Sequence, residues 1–329
     1  MSWKDDFLKS ISARNILVIG DLMLDKYLWG KVTRISPEAP VPILNLERSH
    51  SRLGGAANVA LNLRSLGARV SLIGVIGDDV NGENIISLLD ESQIARTYVM
   101  NVTGIPTTTK TRVIAGHQHV LRVDDEKFLR LAETQEEKFI GNIQRAIEND
   151  SPDAIILQDY NKGVFSPGII RKVLDLSKES GIPVAVDPKK DNFEAYSGAT
   201  IFKPNLPELS GQFVSPVKPE KVSLEEAVGR LRKTMDIDIC CVTLSEHGIY
   251  ISSKDGSAIY PTAPRNVVDV CGAGDAVISV LTLAYLDGLN DGNAAELANR
   301  AGGAVCGVVG VSPVTYSMLQ KELSVESFL

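Results

Sequence analysis

The residues best suited to chemistry lie near the C-terminus, in the run Asp269-Val-Cys-Gly-Ala-Gly-Asp275. Gly272 and Gly274 let the backbone turn sharply just before the apolar stretch Ala276–Leu286. With Ala273 between them they leave N–H groups unobstructed at a helix N-terminus, where free donors and the helix dipole both favour an anion. Asp275 projects beside that anion site. It either caps the helix, as Asp often does, or receives a hydroxyl proton during phosphoryl transfer. Its place at a helix N-terminus predicts a low pKa. A dinucleotide fold fits poorly, because Val277 stands where a third glycine belongs and the motif lies late in the chain. There is no P-loop, no His-Glu-x-x-His and no Gly-x-Ser-x-Gly.

Three further groups could bind ligands. In Leu53-Gly-Gly-Ala-Ala-Asn58, the pair Gly54 and Gly55 either admits a ligand to the backbone or allows tight helix–strand packing, and Asn58 offers a donor and an acceptor to a sugar hydroxyl. In Lys203-Pro-Asn-Leu-Pro-Glu208, Asn205 and Glu208 either hold a Mg²⁺-bound water and phosphate oxygens or open a short helix, with Leu206 and Pro207 between them. Asp21 and Asp25 follow the first apolar run and either accept sugar hydroxyls or serve turn chemistry.

These groups need a scaffold. Asn15–Gly20, Val70–Ile76, Ala154–Leu157, Pro183–Val186, Ala199–Phe202 and Ile239–Leu244 are apolar runs that read as buried parallel strands. Helical periodicity at Ala56–Leu66, Gly82–Glu91, Thr134–Asn149, Pro167–Ser180 and Leu224–Met235 separates many of them. Two more helices are expected at Asp275–Leu289 and Asn293–Val309. Such alternation predicts a doubly wound α/β sheet covered on both faces. Tyr27–Glu47 and Arg96–Asp124 break the rhythm and read as a small β-sheet lid, with Thr109, Thr111 and Val113 on one face and Thr108, Lys110 and Arg112 on the other.

Composition narrows the partners. The 329 residues carry 34 basic and 41 acidic side chains, a net charge of −7, which argues against a nucleic-acid partner. No apolar stretch is long enough for a bilayer, and the N-terminus is too acidic for a secretory signal. Cys240, Cys241, Cys271 and Cys306 lack metal-ligand spacing and read as reduced thiols, so a cytoplasmic protein is expected.

Taken together, Gly54–Asn58, Asn205–Glu208 and Asp269–Asp275 resemble, in order and over essentially the whole chain, the ribokinase-like carbohydrate kinases of the phosphofructokinase-B family. The resemblance implies one three-layer α/β/α domain over residues 1–329 with a β lid, use of ATP and Mg²⁺, and Asp275 as the base. Gly272, Ala273 and Gly274 would hold the migrating phosphoryl group, and Asn205–Glu208 with Ser245 and Gly248 would meet the nucleotide. Two positions depart from the pattern: Val270 replaces a usual Thr, and Ser245 a usual Gly.

Segments outside the shared core are similar to a branch of that family, the heptose-7-phosphate kinases, which form the kinase half of a bifunctional enzyme. They are Arg34–Pro42, Thr109–Arg112, His117–Glu126 and Asp187–Lys190. No His-x-Gly-His adenylyltransferase motif occurs, so the monofunctional kinase is expected. The implied reaction is phosphorylation of heptose 7-phosphate at O1 by ATP. Asp21, Asp25, Gly54, Gly55 and Asn58 would bind the sugar, while Lys110, Arg112, Arg122 and Lys189 would meet its phosphate or remain solvated surface cations. Another sugar kinase, a dehydrogenase or a sugar sensor are the competing readings. A homodimer paired through the lids is expected, because Leu28, Val32, Ile43, Leu44, Val113 and Leu121 give the lid an apolar face.

Overall fold

The computed structural model describes residues 2–116, 118–263 and 266–325. His117, part of one family-like segment, lies outside them. The strands are β1 (Asn15–Gly20), β2 (Leu22–Ile35), β3 (Pro42–Gly55), β4 (Arg69–Gly77), β5 (Ala95–Val102), β6 (Thr109–Ala115), β7 (Gln118–Asp125), β8 (Ala154–Gln158), β9 (Val184–Asp187), β10 (Ile201–Phe202), β11 (Ile239–Thr243), β12 (Ile249–Ser253) and β13 (Gly256–Tyr260). The helices are α1 (Trp3–Ser10), α2 (Ala56–Leu66), α3 (Val80–Glu91), α4 (Glu133–Asp150), α5 (Pro167–Ser180), α6 (Leu206–Ser210), α7 (Lys221–Met235), α8 (Ala273–Leu286), α9 (Asp291–Cys306) and α10 (Tyr316–Ser324).

Nine strands form one sheet in the order β13-β12-β11-β10-β9-β8-β1-β4-β5. From β11 to β5 all neighbours are parallel, and β12 and β13 add an antiparallel edge. Alternate side chains of β1 divide between two cores. Ile16 and Val18 join α1, α2, α3, α8, α9 and α10, while Leu17 and Ile19 join α4, α5 and α7. Both faces being covered, β1 is buried at every position, which is why its sequence is continuously apolar. The chain order reverses around β1, with β4 on one side and β8 on the other. In an open α/β sheet, the crevice beyond the strand C-termini at such a point is where ligands bind.

The lid is a second sheet, ordered β3-β2-β6-β7. Its limits differ from those expected. Ala95–Val102 is a core edge strand paired parallel with β4, not lid, and the lid begins as early as Leu22 and runs through Gly55. Gly54 and Gly55 are therefore the end of a lid strand, paired with Met23 and Leu22. Asp21 alone separates β1 from β2, so core and lid are joined without slack. Beyond its root the lid is open: every residue of β7 is exposed, as are Val32, Ile35 and Leu46.

Helix α2 shows how local rules set a site-bearing element. It starts after Gly55 at φ 58° and stops at Gly67, whose φ of 109° suits a glycine and whose N–H closes on the Arg64 carbonyl. Val59, Leu63 and Leu66 bury one stripe into the core. Each such side chain contributes roughly 1.5–3 kcal/mol on burial. That packing fixes Asn58 in the first turn. Among the described residues the cysteines form no disulfide, and no helix is long and apolar enough to cross a membrane.

Candidate active site

Asp275 is the third residue of α8, entered through Gly272 at φ 82°. It is 3% exposed, and its carboxylate is satisfied from three sides. Asn58 Nδ2 donates to Oδ2 at 2.6 Å, while the Tyr160 hydroxyl and Gln158 Nε2 donate to Oδ1 at 2.9 and 3.2 Å. All three donors are neutral. Burial dominates and raises its pKa to about 7, with nearby Asp187 adding to the rise against the opposing hydrogen bonds of Asn58 and Tyr160. The low value expected from a helix N-terminus is thus corrected: desolvation outweighs the helix dipole. A carboxylate poised near neutrality suits proton acceptance.

Beside it lies a buried ion pair, Lys203 Nζ to Asp187 Oδ2 at 3.0 Å. Burial works against the Lys203 ammonium, yet Asp187 and Glu208 outweigh it and hold its pKa above the usual lysine value. Gln158 Nε2 also donates to Asp187 Oδ2 at 3.0 Å, so one amide bridges both carboxylates. A Cβ on Gly274 would lie 3.6 Å from Lys203 Nζ and 3.8 Å from Asp187 Oδ2. The glycine turn therefore places its backbone against a fixed cation, an arrangement that favours a phosphoryl group. Ala273 N–H is taken by the Val270 carbonyl at 3.3 Å, leaving Gly272 and Gly274 as the better donors of the turn.

The lid root supplies the other wall. Asp25 and Arg112 form a buried ion pair, and Arg112 Nη2 also lies 3.8 Å from Cys271 Sγ in the glycine turn. Burial raises the Asp25 pKa although Arg112 opposes it. The glycine pair has a definite reason: a Cβ on Gly54 would fall 2.2 Å from Asp25 Oδ2, and one on Gly55 2.3 Å from the Asp21 carbonyl oxygen. The room they leave is filled by protein. Asn58 keeps its acceptor oxygen buried and without a partner among the described residues, as does Gln158. Both acceptors belong to the side chains that hold Asp275.

Several expected contacts are committed elsewhere. Asp21 Oδ2 accepts the backbone N–H groups of Tyr160 and Lys162, and Oδ1 that of Val164, so it ties a loop to β1. Lys110 pairs with Asp124 and Glu126. Arg122 pairs with Asp124 and is 57% exposed on β7. Of the three lid cations only Arg112 reaches the floor of the crevice.

On the far side, Asn205 and Glu208 form a reciprocal capping box at α6, each side chain accepting the other's backbone N–H at 2.8 Å, with Pro207 in the first turn after Leu206. Glu208 also pairs with Lys189, whose ammonium lies 5.4 Å from the Tyr160 ring centre. Ser245 takes a φ of 54° in the turn before β12, a left-handed conformation that accounts for glycine being usual there. A Cβ on Gly248 would strike the Tyr260 carbonyl oxygen at 2.2 Å. Among the described residues no group of three acidic, His or Cys side chains could hold a metal directly. Glu208 has both oxygens engaged by protein donors, but each keeps a second lone pair. That suits a hydrogen bond from a Mg²⁺-bound water, not direct ligation.

Sequence reasoning passed over Gln158 and Tyr160. Like Asp187 and Lys203, they stand at or just past the C-terminal end of a core strand, β8, and that placement was the available signal.

The chain is 42% identical over 309 residues to "Bifunctional protein HldE" of Methylobacillus flagellatus and 41% identical over 313 residues to the protein of that name from Magnetococcus marinus. Each match covers 94% of this chain but only 63% and 64% of the relative, so the chain spans under two-thirds of their length. Among solved structures, Escherichia coli phosphofructokinase-2 in complex with potassium has a TM-score of 0.76 at 18% identity, covering 94% of this chain and 97% of its own. Arabidopsis thaliana ribokinase, complexed with ribose and ATP, has a TM-score of 0.71 at 19% identity, covering 95% and 99%. These two likenesses establish the ribokinase-like fold. The match of residues 13–316 to the pfkB family carbohydrate kinases, with the strong identity to curated relatives, establishes the lineage: this chain belongs to the pfkB family of carbohydrate kinases.

Proposed function

We propose that this kinase transfers the γ-phosphoryl group of ATP to O1 of D-glycero-D-manno-heptose 7-phosphate, giving the 1,7-bisphosphate. The observation that carries the reading is Asp275, a buried carboxylate held by neutral donors against an N–H turn and the Lys203 ammonium. The substrate choice is supported by the relatives named HldE and by the likeness of the lid and Asp187–Lys190 segments to heptose-7-phosphate kinases.

Asp275 accepts the O1 proton and aligns that oxygen with the γ-phosphorus. In a loose transition state such positioning is most of its task. Gly272 and Gly274 N–H groups and Lys203 stabilise the charge on the migrating phosphoryl group, while Arg112, held by Asp25, faces the sugar phosphate. Asn205–Glu208, Ser245 and Gly248 border the nucleotide. Bound Mg²⁺ would neutralise phosphate charge, with Glu208 contacting its water shell.

Incubation with ATP and a panel of heptose 7-phosphate, fructose 1-phosphate and ribose, read by ³¹P NMR, tests the reading. Selective formation of an anomeric phosphate on the heptose is expected. Turnover of another acceptor alone would reassign the substrate, and sugar binding without turnover of any would restore the sensor reading. We also propose a homodimer through the lids, supported by exposed Val32, Ile35, Leu46, Leu121 and Val123. Light scattering of active enzyme should give the mass of two chains; a monomer would remove the dimer and leave the kinase standing.

A further inference from the structure

Asp275 Oδ1 already receives a hydroxyl, and that hydroxyl belongs to the protein. The Tyr160 O–H lies 2.9 Å from Oδ1, the kind of contact an acceptor hydroxyl must make to surrender its proton. The three donors to Asp275 are not equally replaceable. Asn58 is fully buried in α2, and Gln158 is 1% exposed at the end of β8, anchored a second time on Asp187. Tyr160 sits beyond the strand and is only half-buried. Its backbone N–H is fixed by Asp21, while among the described residues the polar contacts of its side chain are the Asp275 hydrogen bond and Lys189 over the ring.

We propose that the Tyr160 hydroxyl occupies the acceptor's place on Asp275 Oδ1 in the sugar-free enzyme and withdraws when the sugar hydroxyl arrives. Tyr160 is then a positioning residue: it keeps the base satisfied while the crevice is empty and makes the incoming sugar displace a hydrogen bond. Lys189 joins the same ring to Glu208 in the Asn205–Glu208 motif, so movement of Tyr160 is felt on the nucleotide side. The inference rests on the reading of Asp275 as proton acceptor.

Tyr160→Phe keeps the ring and the Lys189 contact and deletes the competing hydroxyl. Its steady-state kinetics with heptose 7-phosphate and ATP, taken across pH, should show the sugar KM lowered by ~3–10-fold with kcat within ~2-fold, the scale of one hydrogen bond's net contribution after exchange. Loss of a donor to the carboxylate should also move the acid limb of kcat/KM to higher pH. Tyr160→Leu should lower the sugar KM in the same way and provides the second variant if the first folds poorly. A ~10-fold or larger fall in kcat at unchanged KM would mean that the hydroxyl is needed in the reacting complex and would overturn the proposal. Unmoved KM and pH limb would overturn it equally, leaving Tyr160 a packing residue. Asp275→Asn separates the two layers: near-normal turnover there sinks the base reading itself, whereas a dead Asp275→Asn beside an unaltered Tyr160→Phe sinks only the placeholder.

Discussion

Asp21 and Asp275 are both bound to Tyr160, one at its backbone N–H and the other at its hydroxyl, and look alike by the usual signs of a catalytic acid. Both are buried, and burial lifts Asp21 to a pKa of about 6 and Asp275 to about 7, with Asp159 and Asp187 respectively adding to the effect. Their donors differ. Asp21 is held by three backbone N–H groups of the 160–164 loop, which cannot leave unless the loop comes apart. Asp275 is held by side chains, one of them a hydroxyl on a rotatable ring. A raised pKa therefore does not separate a reactive carboxylate from a structural one. Exchangeable donors do.

The contrast is broken most directly by paired amides. Asp275→Asn should leave the fold intact and lower kcat by ~10²–10⁴, the effect of removing a positioned base; stopped-time product assays would read it, and near-normal turnover would make the residue a mere cap. Arg112→Ala leaves Asp25 buried without its cation and should cost about 3 kcal/mol in urea unfolding, besides weakening heptose 7-phosphate more than unphosphorylated heptose. Asp21→Asn turns an amide N–H₂ toward backbone donors and should cost roughly 2 kcal/mol, with kcat of the folded fraction changed less than in Asp275→Asn. Equal kinetic damage from both amides would erase the distinction.

The pH dependence sharpens it. Activity should decline as pH falls below about 7, because Asp275 must be ionised to accept a proton. Its folded pKa stands above the ordinary aspartate value of 3.8, so the folded state binds the proton more tightly, and the stability this group contributes falls as pH rises from about 4 to about 7. Asp275→Asn should therefore gain on the parent chain over that window; parallel stability curves would contradict the pKa difference. The smallest effect is expected at Ser245→Gly, which removes left-handed strain and should raise stability by up to about 1 kcal/mol in thermal unfolding.

Much of this was legible from residue types. Gly55 and Gly67 bracket Ala56–Leu66, so its helix has the limits its periodicity predicts. β5 reads as lid because only Tyr98, Met100 and Val102 are buried among more exposed neighbours, the alternation of a half-covered strand wherever it sits. The hydrogen-bond donors that hold Asp275, namely Asn58, Gln158 and Tyr160, stand more than a hundred positions away in each case. No local pattern could report them. Likewise Gly54 reads as room for a ligand until Asp25 is seen to occupy that room.

The single residue between β1 and β2 has a mechanical consequence. β2 runs for 14 residues, about 45 Å, from a pivot at Asp21. It is a lever whose fulcrum is clamped: a Cβ on Gly20 would stand 2.1 Å from the Gln158 carbonyl oxygen, and Asp21 is pinned to the adjacent loop. A tilt of only about 10° at such a pivot would sweep the far end through roughly 8 Å, by the strand's length alone. By the same geometry a shift of angstrom scale at Asp25, four residues from the fulcrum, would be several-fold larger at Ile35 and Pro42, and the close approach at Gly20 leaves no room for an added methyl at the pivot itself.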